Sequence, residues 1–289
     1  MSMRMEARAS APIPILSYHQ TDALPAPGLP WRTLVTPPAL FGRQMRALAR
    51  RGWRGLSLRD LGPYLRGERR GKVFGLTFDD GFRSNLVHAL PVVAEHGFTA
   101  TVLVVSQAIG GGNHWDVSGG APVKPMMTRP ELLAWQGAGM EVGAHTQHHV
   151  DLTACDAQTA AAEISGCKRT LEALMDLEVL SFAFPYGRYR QEHLEMLRGA
   201  GYRYGVTCES RRAGNGSDPL CLPRITPWSD APMPWFLAKV TTGVEDWRRD
   251  LSGWLRGGLR KVPAPGAGSR EGTRPTPGPL DGTTAGPRT

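Results

Sequence analysis

Two short stretches of the chain hold residues whose types and spacing could do chemistry together. The first, Thr77-Phe78-Asp79-Asp80-Gly81, puts adjacent carboxylates at the end of the apolar run Val73-Phe74-Gly75-Leu76. Such a run reads as a buried strand, and successive strand residues point to opposite faces, so the two acids should have different jobs. Neighbouring carboxylates are costly unless a cation offsets them. A strand tip is also where barrel-type α/β enzymes carry their catalytic groups. Alone, the pentapeptide reads more simply as an Asp-Asp-Gly surface turn. The second stretch, His145-Thr146-Gln147-His148-His149, supplies what the first lacks. One helical turn beyond the Met140 to Ala144 strand would aim His145 and His149 the same way, as zinc sites require, while His148 would be exposed. A polar turn at a strand end is the competing reading. Two imidazoles and one carboxylate would hold a divalent ion, most simply zinc, leaving the other carboxylate free to act as general base.

The intervening sequence must bring these stretches together. Apolar or β-branched runs at Ile13 to His19, Trp53 to Ser57, Thr99 to Val105, Met140 to Ala144, Ser181 to Phe184 and Tyr202 to Thr207 read as strands. Helical patterns separate them: one capped by Thr36, then Leu58 to Leu65, Leu86 to Glu95, Arg129 to Gln136, Ala154 to Met175 and Glu192 to Ala200. Alternation of this kind predicts parallel pairing with right-handed crossovers, and about seven units suit an irregular (β/α)7-type barrel of the α/β class. Leu222 to Ile225 is expected to add a short terminal strand, with amphipathic segments at Pro234 to Val240 and Val244 to Leu255. Residues 1–12 read as an N-terminal tail, 13–258 as the domain and 259–289 as a disordered Pro/Gly-rich tail. The long Gly-rich loop from Ser106 to Thr128 is expected to be functional or disordered.

Composition narrows the function classes. The 289 residues are 41% hydrophobic and 21% charged, as in an ordinary globular protein. A net charge of +8 would suit a polyanion, but the basic residues are scattered and no nucleic-acid motif accompanies them. Weak association with an anionic membrane surface is the alternative use of that charge. No stretch resembles a secretory leader or a membrane span, so a cytoplasmic location is expected. Cys155, Cys167, Cys208 and Cys221 form no C-x-x-C pair and are expected as free thiols, with a Cys208–Cys221 bridge as the alternative.

Taken together, the two stretches resemble the polysaccharide deacetylases with a NodB-homology domain, carbohydrate esterase family four. The T-F-D-D-G motif stands complete at Thr77 to Gly81, and H-[S/T]-x-x-H at His145 to His149 continues into Leu152. The resemblance covers roughly Pro14 to Ile225. It implies Asp79 as general base, Asp80, His145 and His149 as metal ligands, and Thr146 as a loop support. Phe182-Ala183-Phe184-Pro185-Tyr186-Gly187 departs from the usual arginine-containing third motif and looks like the biofilm poly-N-acetylglucosamine deacetylase branch. That branch implies the Tyr186 backbone N–H at the oxyanion. It also implies a circularly permuted barrel in which Ser17-Tyr18-His19 offers His19 as general acid. Arg224 is the candidate to replace the missing arginine partner of Asp79.

The implied reaction is metal-dependent removal of N-acetyl groups from an acetylated amino-sugar glycan. Competing readings on the same fold are a cytosolic amidohydrolase of a small C–N compound, an O-acetyl esterase and a non-catalytic carbohydrate-binding relative. Trp115 and Trp228 are candidates to stack on sugar rings. Oligomeric state is not legible in the sequence.

Overall fold

The computed structural model describes residues 11–244, apart from residue 215. Most of the expected N-terminal tail, the segment following 244 and the C-terminal tail lie outside the described residues. Among the described residues nine strands run in chain order: β1 (Ile15–Tyr18), β2 (Gln20–Thr21), β3 (Val35–Thr36), β4 (Arg54–Leu56), β5 (Val73–Phe78), β6 (Thr101–Val104), β7 (Glu141–Ala144), β8 (Ser181–Ala183) and β9 (Tyr204–Val206). The α-helices are α1 (Pro38–Ala49), α2 (Leu58–Leu65), α3 (Leu90–Glu95), α4 (Arg129–Gly137), α5 (Ala157–Met175), α6 (Gln191–Gly199) and α7 (Met233–Thr242).

Strands β1, β5, β6, β7, β8 and β9 lie side by side in that order, all parallel, and β4 pairs with the first half of β5. The segment 222–225 completes the circuit. Thr207 N–H donates to Leu222 O and Ser17 N–H to Ile225 O, so this segment bridges β9 to β1. The sheet is thereby curled into the expected irregular α/β barrel, with Leu222 to Ile225 contributing two isolated bridges instead of a full strand.

Side-chain alternation sorts the core into two layers. Leu16, Tyr18, Phe74, Leu76, Phe78, Val102, Val142 and Phe182 face the surrounding helices, where Phe78 meets Tyr18, Phe41 and Trp135. Ile15, Val73, Leu103, Ala183 and Val206 fill the opposite face with Leu58 and Leu61 of α2. The interior is narrow: a Cβ on Gly143 would come within 2.9 Å of both Leu103 and the Ser181 carbonyl.

Below this apolar layer the first inward residues of three strands are polar. Glu141 accepts from Ser181 Oγ at 2.6 Å, from Thr101 Oγ1 at 2.7 Å and from the Arg59 backbone N–H at 2.9 Å. The carboxylate thus sits at the first turn of α2, where free N–H groups favour negative charge. Burial pushes its carboxyl above the ordinary range, against the pull of its three donors.

Several boundaries differ from the sequence expectation for identifiable reasons. Thr36 is not the cap of α1; it belongs to β3, opposite Thr21, and Pro37 occupies the cap position. The expected helix from Leu86 begins as a π turn at Asn85–Ala89 and becomes α-helical at Leu90, as Pro91 can enter only a first turn. α5 starts at Ala157 because Asp156 caps it through Thr159 N–H, after a separate 3-10 turn at Leu152–Ala154. The Gly-rich loop is ordered by 3-10 turns at Ser106–Ala108 and His114–Gly119. All four cysteines are free thiols. Among the described residues no helix is long and apolar enough to cross a membrane.

Replacing Glu141 tests the polar layer. Glu141→Ala, which strands three donors, should lower the unfolding free energy by about 3 kcal/mol in urea, whereas Glu141→Gln should cost under about 1 kcal/mol. Because the folded state raises the Glu141 pKa, the native protein binds this proton more tightly than the unfolded chain. Its stability relative to Glu141→Gln should therefore rise as pH falls from about 7 towards 5.

Candidate metal centre and active site

At the C-terminal end of the strands the alternation of β5 is broken. Thr77 and Asp79 are both in contact with the buried Arg224 side chain, whereas Asp80 and Gly81 have φ of +72° and +91°. A left-handed aspartate costs about 1–2 kcal/mol and is tolerated better than most residues. The two neighbouring carboxylates consequently have separate partners.

Asp79 is gripped at both oxygens by Arg224, with Nη1 to Oδ1 at 2.6 Å and Nη2 to Oδ2 at 2.7 Å. Arg224 also donates to the Thr207 carbonyl at 2.9 Å and to Thr77 Oγ1 at 3.0 Å. This buried fork is the paired, hydrogen-bonded geometry a desolvated charge requires. Burial pushes the Asp79 carboxyl up, but the Arg224 guanidinium more than offsets it and holds the group below the usual carboxylate range. His19 follows β1, and its Nε2 stands 3.8 Å from Asp79 Oδ2.

Asp80 Oδ1 lies 3.4 Å from Nε2 of both His145 and His149, and the three potential ligand atoms lie within 4.8 Å of one another. The site suits a cation. Asp80 Oδ1 is buried without a hydrogen-bond partner. His145 Nδ1 is 2.8 Å from the Ala183 carbonyl; that oxygen can only accept, so the proton belongs on Nδ1 and the Nε2 lone pair faces Asp80. Two imidazoles and a carboxylate are a ligand set for zinc and related divalent ions, with positions left open. Ala183 stands where the resembled motif carries arginine; here it contributes a carbonyl, and the guanidinium comes from Arg224.

The histidine stretch is not a helical turn. Thr146 and His149 have φ of +62° and +59°, and this bend brings the rings to a centroid separation of 4.9 Å. Thr146 Oγ1 accepts from His149 N–H at 2.9 Å. The His149 Nδ1 is buried without a partner, and the ring is held by aromatic contacts. Trp115 stacks on it at 4.6 Å and Tyr186 meets it edge-on at 4.9 Å. Trp115 therefore packs on a candidate ligand, while Trp228 is exposed with Lys239 Nζ 4.6 Å from its ring centroid. Tyr186 is itself left-handed, with φ of +59°, and its side chain is half exposed.

Two residues at the site were not singled out from the sequence. Glu163 of α5 accepts from the backbone N–H groups of Gln147 at 2.8 Å and His148 at 3.0 Å, and its Oε1 is 2.7 Å from His148 Nδ1. It thus anchors the loop between both histidine ligands, leaving the His148 ring 59% exposed as expected. The available signal was an acid beside the buried stripe Ala160, Ile164, Cys167 and Leu171. Asp116, in the Gly-rich loop, is the other. Burial raises its carboxyl, and the charges of Asp80, His149 and His19 all act on it.

Comparison with known proteins agrees with this geometry. Residues 66–205 match the sequence profile of the polysaccharide deacetylase family. The chain is 25% identical over 217 residues to YxkH of Bacillus subtilis (strain 168), covering 74% of this chain and 71% of that protein. It is 21% identical over 165 residues to the poly-beta-1,6-N-acetyl-D-glucosamine N-deacetylase of Staphylococcus aureus (strain MRSA252), spanning 54% of each. In fold it is similar to the Streptococcus pyogenes deacetylase PplD, solved with acetate, with a TM-score of 0.69 and 24% identity over 80% of this chain and 99% of that one.

Metal titration of chelator-stripped protein tests the ligand set and its anchor. Asp80→Ala should abolish tight binding of one Zn2+ equivalent. Glu163→Ala should weaken it about tenfold, in the range of lost outer-shell contacts, and Glu163→Gln should recover part of the affinity.

Proposed function

We propose that this chain, which belongs to the polysaccharide deacetylase family, hydrolyses the N-acetyl groups of an amino-sugar glycan with Asp80, His145 and His149 holding a zinc ion. When bound, such an ion supplies a Lewis acid that polarises the acetyl carbonyl and lowers the pKa of water to about 7. Asp79 accepts the proton of the attacking water. Its depressed pKa keeps it ionised across the working range, and Arg224 fixes its orientation, so it acts through position more than through basicity. His19, whose Nε2 stands 3.8 Å from Asp79 Oδ2, donates a proton to the departing amine. The Tyr186 backbone N–H binds the oxyanion.

The observation that carries this reading is the division of labour at Asp79 and Asp80. One carboxylate is committed to a buried guanidinium and the other to two imidazoles. A protein that only bound sugar would have no use for a second buried, oriented carboxylate at its metal site. The Staphylococcus aureus relative's poly-N-acetylglucosamine activity supports a β-linked N-acetylglucosamine polymer as the substrate class.

Asp79→Asn should retain metal and lose activity on acetylated glucosamine oligomers by about 10²-fold or more, the scale of a lost general base. Arg224→Lys keeps the charge without the fork and should also retain metal while lowering kcat about 10²-fold. His19→Ala should lower kcat by a similar factor. Near-normal turnover by Asp79→Asn would remove the assignment of the base, as measured by acetate release.

A further inference from the structure

The His19 ring is not fixed by Asp79, because Nε2 stands 3.8 Å from Asp79 Oδ2, beyond hydrogen-bond length. The backbone on either side of His19 is tied instead, and both ties come from the stretch that begins at Asp79. Asp79 N–H donates to the Tyr18 carbonyl at 2.8 Å, one residue before His19. Asn85 closes the other side. Its Nδ2 donates to the His19 carbonyl at 2.7 Å, and its Oδ1 accepts from Thr21 N–H at 3.1 Å and from Thr21 Oγ1 at 3.0 Å.

Asn85 and Thr21 are both completely buried. The partners fix the amide's orientation: a flipped side chain would set its NH2 against the Thr21 N–H and its oxygen against the His19 carbonyl. Asn85 is also the first residue of the π turn Asn85–Ala89, and single π turns are frequent at functional sites. A buried amide that served packing alone could bond anywhere within reach. All three bonds of this one end on His19 or two residues beyond it.

We propose that Asn85 is a positioning residue for the general acid, holding the His19 backbone so that the imidazole stays beside the Asp79 carboxylate. This rests on the reading above of His19 as the group that gives its proton to the amine as the C–N bond breaks. One stretch, 79–85, then carries the base, a metal ligand and the clamp on the acid, and base and acid keep a fixed spacing.

The test compares two substrates of the zinc-loaded full chain. The amine of N-acetylglucosamine oligomers leaves only with a proton, whereas the phenolate of 4-nitrophenyl acetate leaves without one. Asn85→Ala should lower oligomer kcat about 10²-fold, the scale of a group displaced by about 1 Å, and lower the amide-to-ester ratio of zinc-dependent kcat by a similar factor. His19→Ala should lower that ratio likewise. The double variant should lose no more than about threefold beyond either single one, since residues acting as a unit are non-additive. Asn85→Asp keeps the acceptor for Thr21 and puts an oxygen in place of the donor to His19. It should lower the same ratio with the parent's zinc stoichiometry and circular dichroism, and it carries the test if Asn85→Ala does not fold. Equal loss on both substrates, near-normal oligomer turnover by either Asn85 variant, multiplied losses in the double variant, or loss of fold in both Asn85 variants would overturn the proposal and leave His19 as the acid. An unaltered ratio in His19→Ala would overturn the acid assignment and the proposal together.

Discussion

The active end of this barrel depends on a backbone constraint at Asp80. Two carboxylates joined by one peptide bond would repel in a buried site, and regular strand geometry would send one of them into the helix layer. The left-handed turn at Asp80 and Gly81 interrupts that geometry immediately after Asp79. Asp79 stays beside Thr77, on Arg224, and Asp80 swings to the imidazoles supplied by the loop after β7. Each charge then has an opposite partner, and the conformational cost of about 1–2 kcal/mol is small beside that of an unpaired buried carboxylate. The same device recurs at Thr146, His149 and Tyr186, all with positive φ and all around the same site.

The rest of the fold serves this junction from a distance. The arginine that orients Asp79 lies 145 residues away in sequence, on the segment that closes the sheet between β9 and β1. Barrel closure and positioning of Asp79 are therefore one event: if the 222–225 segment detached, the barrel would open and Asp79 would lose its partner together. At the opposite end Glu141 performs the complementary task, tying three strands to the first turn of α2. Carboxyl groups are thus buried at both ends of the barrel, with an apolar layer between.

Much of this was legible in the sequence, and what was not has physical reasons. The strand–helix alternation, the T-F-D-D-G tip and the histidine pair are local patterns, and the structure brings Asp79, Asp80, His145 and His149 to one place. Arg224 could be named only as a substitute for an absent arginine, because a contact across the closure of a barrel leaves no local periodicity. The i, i+4 spacing of His145 and His149 fits a helical turn as readily as the bend the structure contains, and positive φ at Thr146 and His149 has no residue-type signature comparable to glycine. Glu163 was hidden within an amphipathic helix, where an acid beside an apolar stripe looks like a solvated face. Trp115, a candidate to stack on sugar, has its ring against the His149 imidazole, a contact that no local pattern in the sequence announces.

The central claim, that this geometry is a metal-dependent deacetylase, is tested most directly by joining metal analysis to product detection on one preparation. Chelator-stripped protein would be titrated with Zn2+ while acetate release from N-acetylglucosamine oligomers is followed. The account predicts no turnover without metal and recovery that saturates at one equivalent per chain. Undiminished acetate release from metal-free protein, or stoichiometric zinc with no turnover on any acetylated glycan, would contradict it.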